Sequence, residues 1–150
     1  MSIRISDAGR NRLLDGGTNG GVKACYNLGF ISIFTGSQPS SANTGATGTL
    51  VGLVTVNGDG STGLGFDAAA AGVISKAAAQ AWKFTGLANG IAGWFRLWAV
   101  GDTPTTTDST KPRIDGAIGT SGAELNLSNV TIQSGQVNTV DAFAITMPAA

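Results

Sequence analysis

Histidine is absent from this chain of 150 residues, and cysteine occurs once, as Cys25. The chain therefore lacks the commonest metal ligand and the commonest general base near neutral pH. A single cysteine forms neither an internal disulfide nor a multi-thiolate zinc site. We expect Cys25 to be a small buried apolar residue, and we expect no metal, no cofactor and no enzymatic activity.

Charge is also scarce, because only 12% of the residues are charged and the net charge is zero. Nucleic-acid binding depends on neutralising phosphates with Lys and Arg, so this balance argues against DNA or RNA as a partner. A low-charge surface is poorly protected against self-association, which suits a protein covered by other subunits. No apolar run reaches the roughly 18 residues of a membrane helix, and no signal peptide opens the chain. We expect synthesis in a cytoplasm and no membrane partner.

A short helix is predicted at Ser6–Leu14, capped by Ser6 or Asp7 and followed by a flexible connector at Gly16–Gly21. The residues expected to face inward are Ala8, Leu13 and Leu14. From Val22 onward the pattern predicts only strands and turns. The chain therefore divides into an N-terminal helix or arm with its connector, residues 1–21, and a β domain, residues 22–150.

Glycine supplies 23 positions, spread over many turns between short β-type segments. Tyr26–Thr35 is expected to carry Leu28, Phe30, Ser32 and Phe34 on one face and Ile31 and Ile33 on the other. A strand that is apolar on both faces is typical of a central position in a sheet. Ala68–Phe84 favours a helix by alanine propensity, but its β-branched and aromatic spacing favours two strands, which we prefer. Such a pattern, with polar loops at Gly36–Gly48 and Asp102–Lys111, predicts a β-sandwich or barrel. The expected strands are Tyr26–Thr35, Thr49–Val56, Gly72–Ala77, Gln80–Phe84, Gly93–Val100, Arg113–Ile118, Ala123–Leu127, Val130–Ile132 and Val137–Met147.

The segment Gly58–Gly63 matches the G-x-G-x-x-G pattern of dinucleotide sites, and it follows a predicted strand. The acidic residue expected about 20 positions later is missing, so we interpret the segment as a β-turn. Asn57, Asp59 and Ser61 also have the oxygen spacing that opens a calcium loop. Ala68 stands where the bidentate glutamate belongs, which again favours a solvated turn.

Trp94, Arg96 and Trp98 alternate along the strongest predicted strand, so all three share one face. Exposed aromatic residues in such a row can stack on sugar rings or bases. We prefer the alternative that this face is core or a subunit contact. Arg96 would then lie at the edge of the face or pair with Asp102.

Several blocks, taken together and in order along nearly the whole chain, resemble a family of small structural proteins from tailed bacteriophages. The blocks are Ser6–Gly17, Ile33–Pro39, Ala46–Leu50, Ala92–Arg96, Ile114–Leu127 and Phe143–Pro148. The block from Ile114 is the most specific. The chain departs from the family's pattern at Ala68–Gln80, which is richer in alanine, and at Asp102–Lys111, which is longer.

The resemblance implies a capsid decoration (cement) protein, with a jelly-roll-like antiparallel β-sandwich after a short N-terminal helix. It implies a homo-oligomer on the virion surface whose partner is the major capsid protein, and it carries no catalytic motif. Contacts with the capsid are then expected from the N-terminal segment and the two polar loops. The expected interface residues are Ile3, Arg4, Ser37, Gln38, Pro39, Arg96, Trp98, Thr105 and Thr106. The alternatives are a receptor- or glycan-binding module of a tail or head fibre, or a tail or baseplate component.

Overall fold

The computed structural model describes residues 3–15 and 20–147, and it is predominantly β, so the all-β prediction is confirmed. Nine of the ten described strands overlap the nine predicted strands, whereas the two-residue strand at Arg4–Ile5 was not predicted. The helices are α1 (Asp7–Asp15) and α2 (Gly21–Tyr26). The strands are β1 (Arg4–Ile5), β2 (Phe30–Thr35), β3 (Leu50–Val56), β4 (Val73–Ser75), β5 (Trp82–Thr85), β6 (Gly90–Trp98), β7 (Arg113–Gly119), β8 (Leu125–Leu127), β9 (Thr131–Ile132) and β10 (Val137–Thr146).

Seven of these strands pair in a closed, barrel-like ring. The order runs β7–β8–β10–β5–β3–β2–β6, and β6 pairs with β7 to complete the circuit. The pairing of β7 with β8 is parallel, and every other strand pairing among the described residues is antiparallel. The short strands β1, β4 and β9 extend the ring from β7, β10 and β6. Closure leaves few unpaired edges, which protects a sheet from pairing with other chains.

The main core is formed by the side chains on the inner face of the ring's strands, and aromatic side chains lie at its centre. Phe143 of β10 packs with its ring centroid 5.5 Å from both Trp82 and Phe95 and 6.1 Å from Phe66. All four side chains are buried. Aromatic side chains of this size dominate core energetics, and truncating one to alanine costs about 3–5 kcal/mol.

Strand β2 is central and buried on both faces, as its sequence predicts. It lies between β3 and β6, and Ile31 and Ile33 belong to the main core. Ser32 and Phe34 point to the opposite face and are also buried. The prediction that Leu28 shares this second face is wrong, because Leu28 precedes the strand with a φ of 63° and is 58% exposed.

Helix α1 begins where the sequence predicts it to begin. The Ser6 hydroxyl accepts a hydrogen bond from the Gly9 amide at 3.1 Å, so Ser6 is the capping residue. Leu14 is 84% exposed, so the prediction that it faces inward is wrong, whereas Leu13 packs partly against the core. Of the predicted connector, residues 16–19 lie outside the described residues.

The prediction of strands and turns from Val22 onward is wrong at its first element, because α2 spans Gly21–Tyr26. Val22, Cys25 and Tyr26 are buried at a spacing of three and four residues, which is helical spacing that the sequence interpretation overlooked. Burial raises the pKa of the Cys25 thiol, and its predicted role as a buried apolar residue is confirmed. The division at residues 21 and 22 stays a prediction, and it falls inside α2. No described helix is long and apolar enough to cross a membrane.

Candidate interaction surface

A second buried layer lies on the outer face of β2, β6 and β7, away from the main core. Strand alternation sends Phe95 and Leu97 into the main core and turns Trp94 and Arg96 to this outer face. Trp94 stacks on Phe34 with ring centroids 4.7 Å apart, and the Arg96 guanidinium carbon lies 5.4 Å from the centre of the Trp94 ring. Both aromatic side chains are buried although they face outward from the sheet. Chain segments outside the sheet must therefore cover them.

Arg96 connects this layer to the segments that cover it. Its Nε and Nη2 atoms donate to the two carboxylate oxygens of Asp115, both at 2.7 Å, and both side chains are 0% exposed. Its Nη1 atom donates to the carbonyl oxygens of Thr44 and Pro104, both at 2.8 Å. The predicted pairing of Arg96 with Asp102 is wrong, because the register of β6 and β7 places Asp115 directly opposite Arg96. One guanidinium thus holds the sheet and two loops together.

A second arginine fixes the loop at Asp102–Lys111 to β7. Arg113 donates from Nε and Nη2 to the carboxylate of Asp102, at 2.6 and 2.8 Å. It also donates to the carbonyl oxygens of Thr106 and Thr103, at 2.7 and 3.0 Å. Bidentate arginine–carboxylate pairs of this kind fix geometry as well as charge. Arg113 therefore fixes the first half of this loop, from Asp102 to Thr106.

The two loops and the N-terminal segment also contact one another, and we call residues 3–7, 36–49 and 99–112 the loop platform. The Asp108 amide donates to the Asn43 carbonyl at 2.8 Å, and the Gly45 amide donates to the Thr107 hydroxyl at 3.0 Å. The Asn43 side chain exchanges hydrogen bonds with Asp7, at 2.8 and 3.0 Å. The Arg4 side chain donates to the Pro39 carbonyl. Segments distant in sequence thus form one ordered surface.

The expected interface residues all lie in the loop platform or in the strand beneath it, but their exposure differs. The exposed members are Ser37, Thr105 and Thr106. The half-buried members are Ile3, Arg4 and Trp98, and the buried members are Gln38, Pro39 and Arg96. With no exposed surface, Arg96 presents nothing to a partner and instead positions the loops. Trp98 donates from Nε1 to the Ser32 hydroxyl at 3.0 Å and packs beside Phe30.

The preferred interpretation of the face shared by Trp94, Arg96 and Trp98, that it is buried, is confirmed for Trp94. This side chain has no exposed area on which a sugar or base can stack. Trp94 belongs to the second buried layer, with Phe34 and Arg96, and not to the main core. The alternation of residues along the strand did not predict two separate buried layers. Comparisons of the chain with protein-family models, with curated proteins and with solved structures found no match. A proposal for function therefore rests on the sequence and on the geometry of its residues.

The glycine-rich segment after β3 is a turn, as its sequence predicts. Asn57 and Gly58 both have positive φ, 57° and 70°, which reverses the chain tightly. The Asp59 carboxylate accepts hydrogen bonds from the amides of Ser61 and Thr62, at 2.8 and 2.7 Å, and from the Thr62 hydroxyl. These bonds, the Thr62 hydroxyl first, lower the pKa of Asp59 to about 2. The carboxylate that would open a calcium loop is thus already used within the turn.

Candidate ligands for a metal ion are not clustered in the part of the chain that the structure describes. No group of three or more His, Cys, Asp or Glu side chains is placed there to hold an ion. Asp102 and Asp115 are each occupied by an arginine. Burial raises the pKa of Asp115, against the opposing effect of Arg96. The buried carboxylates therefore serve to arrange the loop platform.

Sequence reasoning identified both loops but missed two residues of β7, Arg113 and Asp115, that help to anchor them. Asp115 and Arg113 were treated as ordinary strand residues. Their two-residue spacing was a usable signal, because it places both side chains on one face of the same strand. That face adjoins the face of β6 that carries Arg96.

Proposed function

We propose that this protein is a non-enzymatic virion structural protein of a tailed bacteriophage. In this proposal it binds the major capsid protein on the outer surface of the shell and bridges neighbouring capsomers. It is made in the host cytoplasm and functions as a homo-oligomer on the capsid. The resemblance along the sequence suggests the proposal. The observation that carries it is the loop platform, an ordered polar surface built by two buried arginine–aspartate pairs.

Preorganisation of this kind suits a bridging protein. Binding normally costs free energy for ordering loops and side chains at the interface, and loops that are already fixed avoid much of that cost. Stable interfaces bury about 1,200–2,000 Å² in total. Repetition of a modest contact around a shell multiplies its effect through avidity. The stabilisation would therefore come from many weak sites acting together.

The finer fold class belongs to the same proposal, namely a jelly-roll-like antiparallel β-sandwich. Its support is the predominance of antiparallel pairing among the described strands and the aromatic core enclosed by their inner faces. The closure of the ring by the pairing of β6 with β7 and the parallel pairing of β7 with β8 are the features that fit it least. A crystal structure tests it: two facing sheets of four strands would support the proposal, and a round barrel would contradict it.

Quantitative mass spectrometry of purified virions tests the proposed function. We expect hundreds of copies per particle, and we expect particles that lack the protein to release DNA at a lower temperature than complete particles. Adding back purified protein should restore the release temperature. A few copies per particle, or glycan-array binding that Trp98→Ala abolishes, would instead favour a receptor- or glycan-binding fibre module or a tail or baseplate component.

A further inference from the structure

We propose that the loop platform recognises an uncharged, hydrogen-bonding protein surface, so that its binding is nearly independent of ionic strength. This inference rests on the proposed function and adds the chemistry of the partner. Ionic strength distinguishes the proposal from charge-driven docking, because salt screens exposed charges beyond a Debye length of about 10 Å at 0.1 M.

The charged side chains of the loop platform are engaged within the chain. Arg4 donates to the Pro39 carbonyl, and Asp7 pairs with Arg10 and bonds Asn43. The remaining three charged side chains bond within the platform or to the strand beside it. They are Asp102 with Arg113, Asp108 with Thr110, and Lys111 with the Gly101 carbonyl. Asp7 and Asp102 are each paired with an arginine, and Asp108 and Lys111 carry opposite charges within one loop, so the platform presents little net charge to a partner.

The outward surface of the loop platform consists largely of hydroxyl groups. Its exposed serine and threonine residues are Ser37, Ser40, Thr44, Thr47, Thr49, Thr103, Thr105, Thr106, Thr107, Ser109 and Thr110. Residues 36–49 contain no charged residue. A hydroxyl donates one hydrogen bond and accepts others, and the threonine methyl adds apolar area. Such a surface complements backbone carbonyls, amides and hydroxyls of a partner.

A charged partner would gain little from this surface. Removing an ion from water costs several kcal/mol, which only an opposite charge or several good hydrogen bonds offset. The platform offers many hydroxyls at fixed positions and little net charge. A neutral polar surface loses less on desolvation and recovers its hydrogen bonds. The favoured partner is therefore a region of the capsid protein that is poor in Asp, Glu, Lys and Arg.

The fixed spacing of the two loops makes this recognition specific. A Cβ atom added at Gly45 would lie 2.5 Å from the Thr105 carbonyl oxygen, so the loops approach more closely there than any other residue type allows. The Gly45 amide also donates to Thr107. The hydroxyl groups of the two loops are thus held at fixed distances from one another, so a partner surface with matching hydrogen-bonding groups can bind them.

Binding of the purified protein to shells that lack it, measured at about 0.05 and about 0.5 M NaCl, tests this inference. We expect the affinity to change less than about threefold, whereas contacts carried by several ion pairs would weaken by tenfold or more. Thr105→Lys and Thr106→Lys should each weaken binding by about tenfold or more, because the new charge loses its water without a partner. Thr85→Lys is the matched control, since exposed Thr85 lies on β5, three strands from β6 around the ring; it should bind as wild type.

Three results would overturn the inference. A strong salt dependence would show that charge carries the contact, and normal binding by both platform variants would place the contact elsewhere. In either case binding itself persists, so the proposed function stands. If the wild-type protein does not bind the shells, or binds a glycan array and not the shells, the proposed function is overturned together with this inference. Circular dichroism confirms that each variant is folded.

Discussion

Replacing Arg96 with methionine tests whether the buried pair with Asp115 holds the loop platform on the sheet. The substitution keeps an unbranched apolar stem and removes the guanidinium with its five N–H donors, so the Asp115 carboxylate stays buried without its partner. The carbonyls of Thr44 and Pro104 lose their donor as well. Removing one partner of a buried pair costs about 3–5 kcal/mol. For a domain of this size that lowers Tm by about 10 °C.

Urea unfolding followed by tryptophan fluorescence measures this loss, with Arg10→Met as the matched control. The Arg10–Asp7 pair is exposed, so its removal should cost less than about 1 kcal/mol. The double variant Arg96→Met with Asp115→Leu should recover most of the loss, because an apolar pair no longer leaves a buried ion uncompensated. A loss below about 1 kcal/mol for Arg96→Met would refute the assigned role of Arg96.

The same variant carries a prediction about pH. Burial raises the pKa of Asp115 in the folded protein, and without Arg96 the carboxyl binds its proton more tightly still. A pKa raised on folding contributes stability that is present below the unfolded pKa and lost as pH rises through the folded pKa. The stability gap between Arg96→Met and wild type should therefore narrow as pH falls from 7 to about 4. A gap that widens toward acid would contradict this account.

Two further predictions concern other parts of the fold. Gly93→Ala should destabilise the protein by about 1–3 kcal/mol in urea unfolding, because its Cβ would lie 2.0 Å from the Gly36 carbonyl oxygen, where β6 meets residues 36–49. Ser128→Ala, at an exposed turn, is the control. Equal urea midpoints for the two variants would contradict the close approach at Gly93. NMR titration of Asp59 should give a pKa of about 2, since the turn's hydrogen bonds favour the carboxylate. The stabilisation from these hydrogen bonds is present above the unfolded pKa and is lost as pH falls through about 2. Thr62→Ala should raise the pKa of Asp59, and an unchanged pKa would refute the role of Thr62.

The strands were largely predictable because their signals are local. Alternating apolar residues and glycine-rich turns indicated nearly every strand, including the two short strands in the alanine-rich Ala68–Phe84 segment. Helix α2 was missed because the segment from Val22 onward was interpreted as strands and turns, with a strand from Tyr26 that in fact starts at Phe30. Short apolar runs are ambiguous between the two periods, and tertiary packing decides between them.

The loop platform was predictable in its parts and not in its assembly. Composition indicated two polar loops and an N-terminal segment, but their meeting over one face depends on the pairing of β6 with β7. That register brings Asp115 to Arg96, and it follows from contacts between residues far apart in the sequence. No local pattern encodes such a contact. Paired arginines and aspartates at two-residue spacing in neighbouring strands are the nearest available signal.

Closure of the ring by β10 has a consequence for how the chain is made. Val137–Thr146 pairs with β8 on one side and with β5 and β4 on the other. A nascent chain that ends before Val137 has open edges at β5 and β8 and lacks Phe143, the aromatic centre of the core. Unpaired edges and exposed apolar surface make such intermediates prone to aggregation. The ring therefore closes only after β10 has left the ribosome, so β5 and β8 stay unpaired on that side until Val137–Thr146 is available.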